Sequence, residues 1–342
     1  MNNIKKQIIF SFDYELFLGA NSGTVNDCLI EPTNRILKIL NSNNTTAVFF
    51  IDSSYLVRLE EISKTNKNAA EDFKNIQAQI CNIVDSGHYA YLHLHPHWNN
   101  AIYNSTSNVW NLIDKSQFGF QCMNAMERTI MFNNSYDLLN KIVGKSKLKT
   151  SILGFRAGGL YIQPFLFFSN LFEKKKIIYD FSVLPDFSSN MNKFNFDFTP
   201  YKSKKYYKFS HDVLIPDNEG KFIEFSLSTF ELKNINKIIN GIEYRILKLL
   251  NKFKPIEEIH SSGNRLSSIK KNYLNSKETL SIELLNNYKM KLIINLLNET
   301  DYLHFISHTK LVSVYNLNIF NKFLKKINEK YDIESNHMNF VV

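Results

Sequence analysis

Four of the nine histidines fall within ten residues, in the string Gly87-His-Tyr-Ala-Tyr-Leu-His-Leu-His-Pro-His-Trp98. His93 and His97 stand four apart, with His95 between them. Pro96 forces the backbone out of a regular strand there, and a strand end turning at that point could aim two imidazoles at one spot. Divalent first-row metals take such nitrogens together with a carboxylate and keep positions open for water and substrate. The bland alternative is a polar, hydrogen-bonded loop. Carboxylates are available in Ile8-Ile-Phe-Ser-Phe-Asp13-Tyr-Glu15, immediately after an apolar run. Two acids two residues apart point the same way on extended chain. One could bind a metal while the other accepts a proton from an attacking water. A loop or helix cap would explain the same two acids without chemistry.

Three further positions offer polar groups at the ends of apolar runs. Gly154-Phe-Arg156-Ala-Gly-Gly159 contains one of only six arginines, set before small residues that let other groups come close. A buried Arg156 beside Asp13 would keep that acid ionised and oriented, although Gly-Gly after a strand also marks an ordinary turn. Tyr179-Asp180-Phe-Ser-Val puts Asp180 at the end of the next run, and Leu303-His-Phe-Ile-Ser-His308 ends the last one on His308. His308 there suits a general acid, with Asp180 or another carboxylate orienting it. Taken singly, each could equally be structural.

These groups need a scaffold that brings distant segments together. Seven short apolar runs read as strands: Gln7–Phe12, Thr46–Ile51, His88–His93, Thr150–Phe155, Ile177–Ser182, Lys221–Ser226 and Tyr302–Ser307. Helical patterns lie between and after them: Thr33–Leu40, Ser54–Val84, Met123–Val143, Pro164–Phe172, Asn234–Asn251, Glu278–Asn298 and Leu317–Tyr331. In Glu278–Asn298, Lys289 interrupts an apolar face. Alternation of this kind predicts an α/β fold built from βαβ units, an incomplete, distorted seven-stranded β/α barrel whose site collects at the C-terminal strand ends. Residues 1–342 read as one domain, with a polar insertion at 253–278 and an irregular stretch at Phe187–Lys208.

In chain order these motifs resemble the NodB-type polysaccharide deacetylases, carbohydrate esterase family 4. Ser11-Phe-Asp13-Tyr-Glu15 is similar to the family's first motif, with the second acid displaced by one residue. His93 and His97 match its His-x-x-x-His, preceded by Gly87-His88. Phe155-Arg156-Ala-Gly158, Asp180-Phe-Ser182 and His308 match its later motifs, and Ala47–Asp52 its second strand. The strings Phe-Asp-Tyr-Glu-Leu-Phe and His-Pro-His-Trp are similar to the branch found with surface-polysaccharide (O-antigen or capsule) synthesis. The resemblance implies Asp13 as general base, Arg156 and Asp180 as supporting catalytic groups and His308 as general acid. It implies Glu15, His93 and His97 as ligands of one divalent transition metal, zinc first, with cobalt, nickel or manganese as the other ions such donors hold. Tyr14, Tyr91, His95 and Trp98 are the candidate substrate contacts, with core packing as the alternative for the aromatic ones.

The implied activity is hydrolysis of the N-acetyl group of an acetamido sugar, in a nucleotide- or lipid-linked polysaccharide precursor. An O-acetyl esterase or other metal amidase on the same barrel, or a silent carbohydrate-binding relative, are the competing readings. Composition narrows the rest. The 342 residues carry 41 Lys+Arg against 32 Asp+Glu, a net charge of +9, but the cations are mostly dispersed lysines rather than the basic stripe of a nucleic-acid reader. There is no apolar run of transmembrane length and no convincing secretory h-region, and three scattered cysteines read as reduced thiols. A cytoplasmic protein without nucleic-acid partners is the expectation. No oligomeric state follows from these residues.

Overall fold

The computed structural model describes residues 5–114, 116–191, 194–201, 205–232, 234–252 and 277–340. The expected polar insertion at 253–278 lies, except for its last two residues, outside them. Nine strands make the main sheet: β1 Lys5–Tyr14, β2 Val48–Asp52, β3 Tyr89–Leu94, β4 Gly154–Ala157, β5 Tyr179–Asp180, β6 Tyr206–Phe209, β7 Phe222–Phe225, β8 Tyr302–His308 and β9 Asp332–Glu334. Their order is β6-β7-β5-β4-β3-β2-β1-β8, with β9 alongside the start of β1. A parallel-paired strand falls in each of the seven expected runs, though Thr150–Phe155 overlaps its strand only at Gly154–Phe155 and Ile177–Ser182 shortens to Tyr179–Asp180. The sheet exceeds seven because β6 adds antiparallel to β7 and β9 adds to β1. Between β7 and β8 the barrel is bridged by single bonds instead of a ladder: the Ser228 N–H donates to the His304 carbonyl (3.1 Å) and the Ile306 N–H to that of Leu280 (2.9 Å). The fold is therefore an incomplete α/β barrel.

The described residues form eight α-helices: α1 Glu31–Ser42, α2 Ser53–Ser63, α3 Lys67–Asp85, α4 Ala125–Val143, α5 Ser169–Lys175, α6 Asn234–Leu249, α7 Asn287–Leu296 and α8 Val314–Lys330. Local chemistry fixes several boundaries. Asn66 caps α3, so the expected long helix from Ser54 to Val84 is two helices. Reciprocal capping boxes start α4 (Asn124/Glu127) and α8 (Ser313/Asn316).

Two sequence expectations change. The stretch Glu278–Asn298 is not one helix: Lys277–Thr279 is a strand, Ile282–Leu284 a 3-10 turn, and only Asn287 onward is helical. Lys289 is buried against Glu278 (2.8 Å), a contact that apolar periodicity cannot report. Phe187–Lys208 is not wholly irregular either, since Ser188–Met191 pairs with Phe194–Asp197 in a hairpin and Tyr206 begins β6.

The barrel interior is filled by rings. Phe181 contacts Phe50, Tyr91, Phe225, His304 and His337. His337, from a 3-10 turn near the C-terminus, accepts this position neutral, burial lowering its pKa to about 3. This layer floors the site. No helix among the described residues is long and apolar enough to cross a membrane.

Candidate active site and metal centre

Adjacent parallel strands carry the site on neighbouring C-terminal ends. Asp13 on β1 is in register with His308 on β8, and His93 on β3 with Asp52 on β2 and Arg156 on β4. The register alone thus gathers residues nearly three hundred positions apart, at the end of a parallel barrel where sites form.

Arg156 is fully buried, and its guanidinium is spent on four partners. Nη1 donates to Asp13 Oδ1 (2.5 Å), Nε to the Phe181 carbonyl (3.1 Å) and Nη2 to Ser11 Oγ (2.7 Å), with His304 Nε2 at 3.2 Å. The plane lies 4.0 Å from the centre of the Phe50 ring. His304 can accept because its Nδ1 faces the Phe225 carbonyl at 3.0 Å and because burial and Arg156 keep its pKa well below the usual imidazole range. Burial alone would push the Asp13 carboxyl up. Arg156, His93 and His308 outweigh it and hold the acid below its ordinary value. Asp13 is therefore a fixed, ionised carboxylate.

Glu15, His93 and His95 each place one ligand atom within 4.8 Å of the others, and all three are buried. Glu15 Oε2 lies 2.6 Å from His95 Nε2 and 3.4 Å from His93 Nε2. His93 Nδ1 is 2.8 Å from the Arg156 carbonyl, so that nitrogen donates and Nε2 faces the carboxylate. Burial opposes a charge on His93, yet Asp13 and Glu15 raise its pKa to about 9. Glu15 is held well below the carboxylate range: the cost of burial is overcome by the Lys310 ammonium, 2.9 Å away, and by the two imidazoles. Two imidazole nitrogens and a carboxylate converging in a buried, electronegative spot form a donor set that fits a divalent transition metal.

Beside Glu15 the converging imidazoles are those of His93 and His95, where the sequence expectation was His93 with His97. His95 is still extended (φ −120°, ψ 100°), so strand alternation puts its ring on the same side as His93. Pro96 then opens a 3-10 turn that carries His97 onward. The His97 ring stacks on Phe118 (5.1 Å, 12°) and meets His95 edge-on. Close packing explains Gly158 of the arginine motif: a Cβ there would stand 2.3 Å from the Leu94 carbonyl oxygen and 2.7 Å from His95 Nδ1.

His308 Nδ1 is 3.0 Å from Glu283 Oε1, and its Nε2 lies 3.8 Å from Asp13 and 3.7 Å from Glu15. Burial lowers its pKa, but Glu283 and the two acids more than compensate, and the net shift is upward. Its side chain is 29% exposed while those of Asp13 and Glu15 are at 6% and 5%, so the site opens at His308. The carboxylate that orients it is Glu283, not Asp180. Alternation along β5 turns Phe181 into the barrel and Asp180 to the other face of the sheet. There Asp180 accepts from Ser182 Oγ (2.8 Å) and pairs with Glu224, its neighbour in register on β7.

Three candidate substrate contacts are structural. Tyr14 follows Asp13 and so points to the opposite face, where its hydroxyl donates to Gln79 of α3 (2.7 Å). Tyr91 shares the His93 face but sits one layer deeper, its hydroxyl 3.0 Å from His337 Nε2. Trp98 is buried against Tyr55 and Trp110 and donates to Asp52 Oδ2 (2.5 Å). Asp52 also accepts from Ser54, whose hydroxyl in turn accepts the His95 N–H (2.8 Å). Trp98 and Asp52 therefore clamp the histidine turn. Sequence reasoning passed over Glu283, Lys310, Ser11, His304 and Asp52. Ser11, Asp52 and His304 lie inside strings already singled out in the sequence and Lys310 follows His308 by two residues, whereas Glu283 had no local signal.

No protein-family model matches the chain, and no curated protein does. Solved structures are similar at low identity. They include a Mycobacterium smegmatis protein provisionally named a polysaccharide deacetylase (11% identity, 100% of this chain and 90% of that one, TM-score 0.47). The Puue allantoinase follows at 11% identity, 96% and 85% coverage and TM-score 0.47. A family 4 carbohydrate esterase from Streptomyces lividans, solved with acetate, gives 9% identity, 96% and 91% coverage and TM-score 0.40. These are likenesses only; the chemistry of the site is that of its own residues.

Proposed function

We propose that the chain is a metal-dependent hydrolase that removes an N-acetyl group from an acetamido sugar of a surface-polysaccharide precursor. Glu15, His93 and His95 would hold the metal, with His95 in the place first expected of His97. Such an ion supplies a Lewis acid and a more acidic water, and zinc is the first choice, before cobalt, nickel and manganese. Asp13, ionised and fixed by Arg156, accepts the proton of the attacking water. His308, its Nδ1 oriented by Glu283, presents Nε2 on the open side and gives a proton to the leaving amine. One observation carries this reading: a carboxylate kept charged by arginine and an imidazole backed by a carboxylate flank the same Glu/His/His group.

The cytoplasm is the compartment we infer, a reading supported by the scattered placement of the three cysteines, Cys28, Cys81 and Cys122, along the sequence. The carrier on this reading is a nucleotide or a lipid. The test is release of acetate by protein loaded with each metal, from paired N-acetylated and O-acetylated sugars. Acetate and free amine from the amides support the deacetylase. Release from the esters alone makes the protein an O-acetyl esterase, and no release with no bound metal makes it a binding protein.

A further inference from the structure

Helix α6 carries a surface that this chemistry does not use. Ile235, Ile238, Ile242, Ile246, Leu249 and Leu250 recur at helical steps, which places them along one side. Each is at least 50% exposed. Single exposed apolar side chains are ordinary, but six in one stripe are an interaction surface. The other side of the helix makes its attachment to the body. Tyr244 and Leu247 pack on Leu284, Asn240 bonds Asn286 (3.1 Å), and the Tyr288 hydroxyl donates to Asn236 (2.6 Å). The stripe therefore faces outward.

Among residues 234–252 the exposed charges have one sign. Lys237, Arg245, Lys248 and Lys252 are exposed, and the acid of this segment, Glu243, is turned toward the Tyr288 N–H (3.2 Å). We propose that α6 docks the protein on an anionic lipid surface, its apolar ridge entering the headgroup boundary and its cations meeting lipid phosphates. A symmetric pairing with a second copy along the same ridge would instead bring the cations of one helix against those of the other. The docked helix also adjoins the site, because Leu284, which it covers, directly follows Glu283, the carboxylate on His308. A sugar borne on a membrane lipid would thus reach the site from the docked side. That last step rests on the hydrolase reading; the docking itself does not.

The test is co-sedimentation of the full chain with phosphatidylcholine vesicles containing about 30% phosphatidylglycerol, and with vesicles of phosphatidylcholine alone. Binding to the anionic vesicles is expected, weakened about tenfold or more in the Ile238→Ser/Ile242→Ser/Ile246→Ser protein and in Arg245→Glu/Lys248→Glu. Both variants should keep the parental thermal unfolding curve, since the replaced side chains are exposed. Wild type left in the supernatant overturns the proposal, as does binding that the isoleucine changes leave intact. A dimer in light scattering that those changes dissolve, without vesicle binding, assigns the ridge to a second copy and overturns it too. The vesicle readout requires no hydrolysis, so its failure and that of the hydrolase reading are distinguishable.

Discussion

Two buried acidic pairs sit on opposite faces of one sheet and behave in opposite ways. Asp13 and Glu15 lie at the mouth of the barrel, and both are held ionised. Asp180 and Glu224 lie behind it, and both are pushed upward by burial, Glu224 well above the ordinary range because Asp180 adds its own charge and accepts its hydrogen bond. Burial is the largest influence on all four and has the same sign throughout. The difference is the company: Arg156, Lys310 and the histidines surround the first pair, while the second shares a proton between its members. Ionisation state, and with it fitness for base catalysis or metal binding, is thus set by the neighbouring cations rather than by depth.

The comparison is broken most completely by removing the charge from one member of the first pair. Asp13→Asn is expected to lower the hydrolysis rate by about two to four orders of magnitude, while elemental analysis finds its metal content unchanged. Normal turnover would remove Asp13 from the mechanism. Next in size is Arg156→Met, which strips the cation from a buried carboxylate. Urea unfolding should show a loss of about 3–5 kcal/mol, and a loss under 1 kcal/mol would mean that Asp13 does not need its partner.

The second pair can be tested through pH. Its raised pKa values mean that the folded state holds a proton the unfolded chain releases, so stability falls as pH rises above the ordinary carboxylate range. The slope is about 1.4 kcal/mol per pH unit per proton until the folded pKa is passed. Glu224→Gln should flatten this part of the profile, and an unchanged slope would deny the shared proton. Buried neutral histidines give the opposite sign. His88, lowered to about 4 by burial, and His337, lowered to about 3, stabilise fully above the unfolded value near 6.5 and lose that contribution as pH falls through the interval. Denaturant titrations at stepped pH measure both limbs. The smallest effect expected is that of Gly158→Ala, whose methyl group would press on Leu94 and His95. Zinc affinity should drop about tenfold, and if it does not, His95 is not a ligand.

Much of the scaffold was legible because its signals are local. Continuous apolar runs mark β1, β2, β3 and β8, whose side chains are buried on both faces. The histidine cluster, the Asp-x-Glu string and the arginine in Gly-Phe-Arg-Ala-Gly-Gly mark the candidate site by residue type and spacing, and the structure supplies the Arg156–Asp13 contact that the sequence offered only as a condition. What spacing could not supply was direction. A single residue of register separates Asp13 from Tyr14 and Phe181 from Asp180, and each step reverses the face a side chain occupies. Pro96 likewise decides whether His95 or His97 lies beside Glu15, because the strand continues for one residue past Leu94 before turning. Glu283 and Lys310 are positioned by non-local packing, a 3-10 turn set against β8 and the turn that follows that strand. Sequence determined the donors and the sheet that carries them. Only the tertiary structure decided which of those donors face one another, since that depends on strand parity and register between segments far apart in the chain.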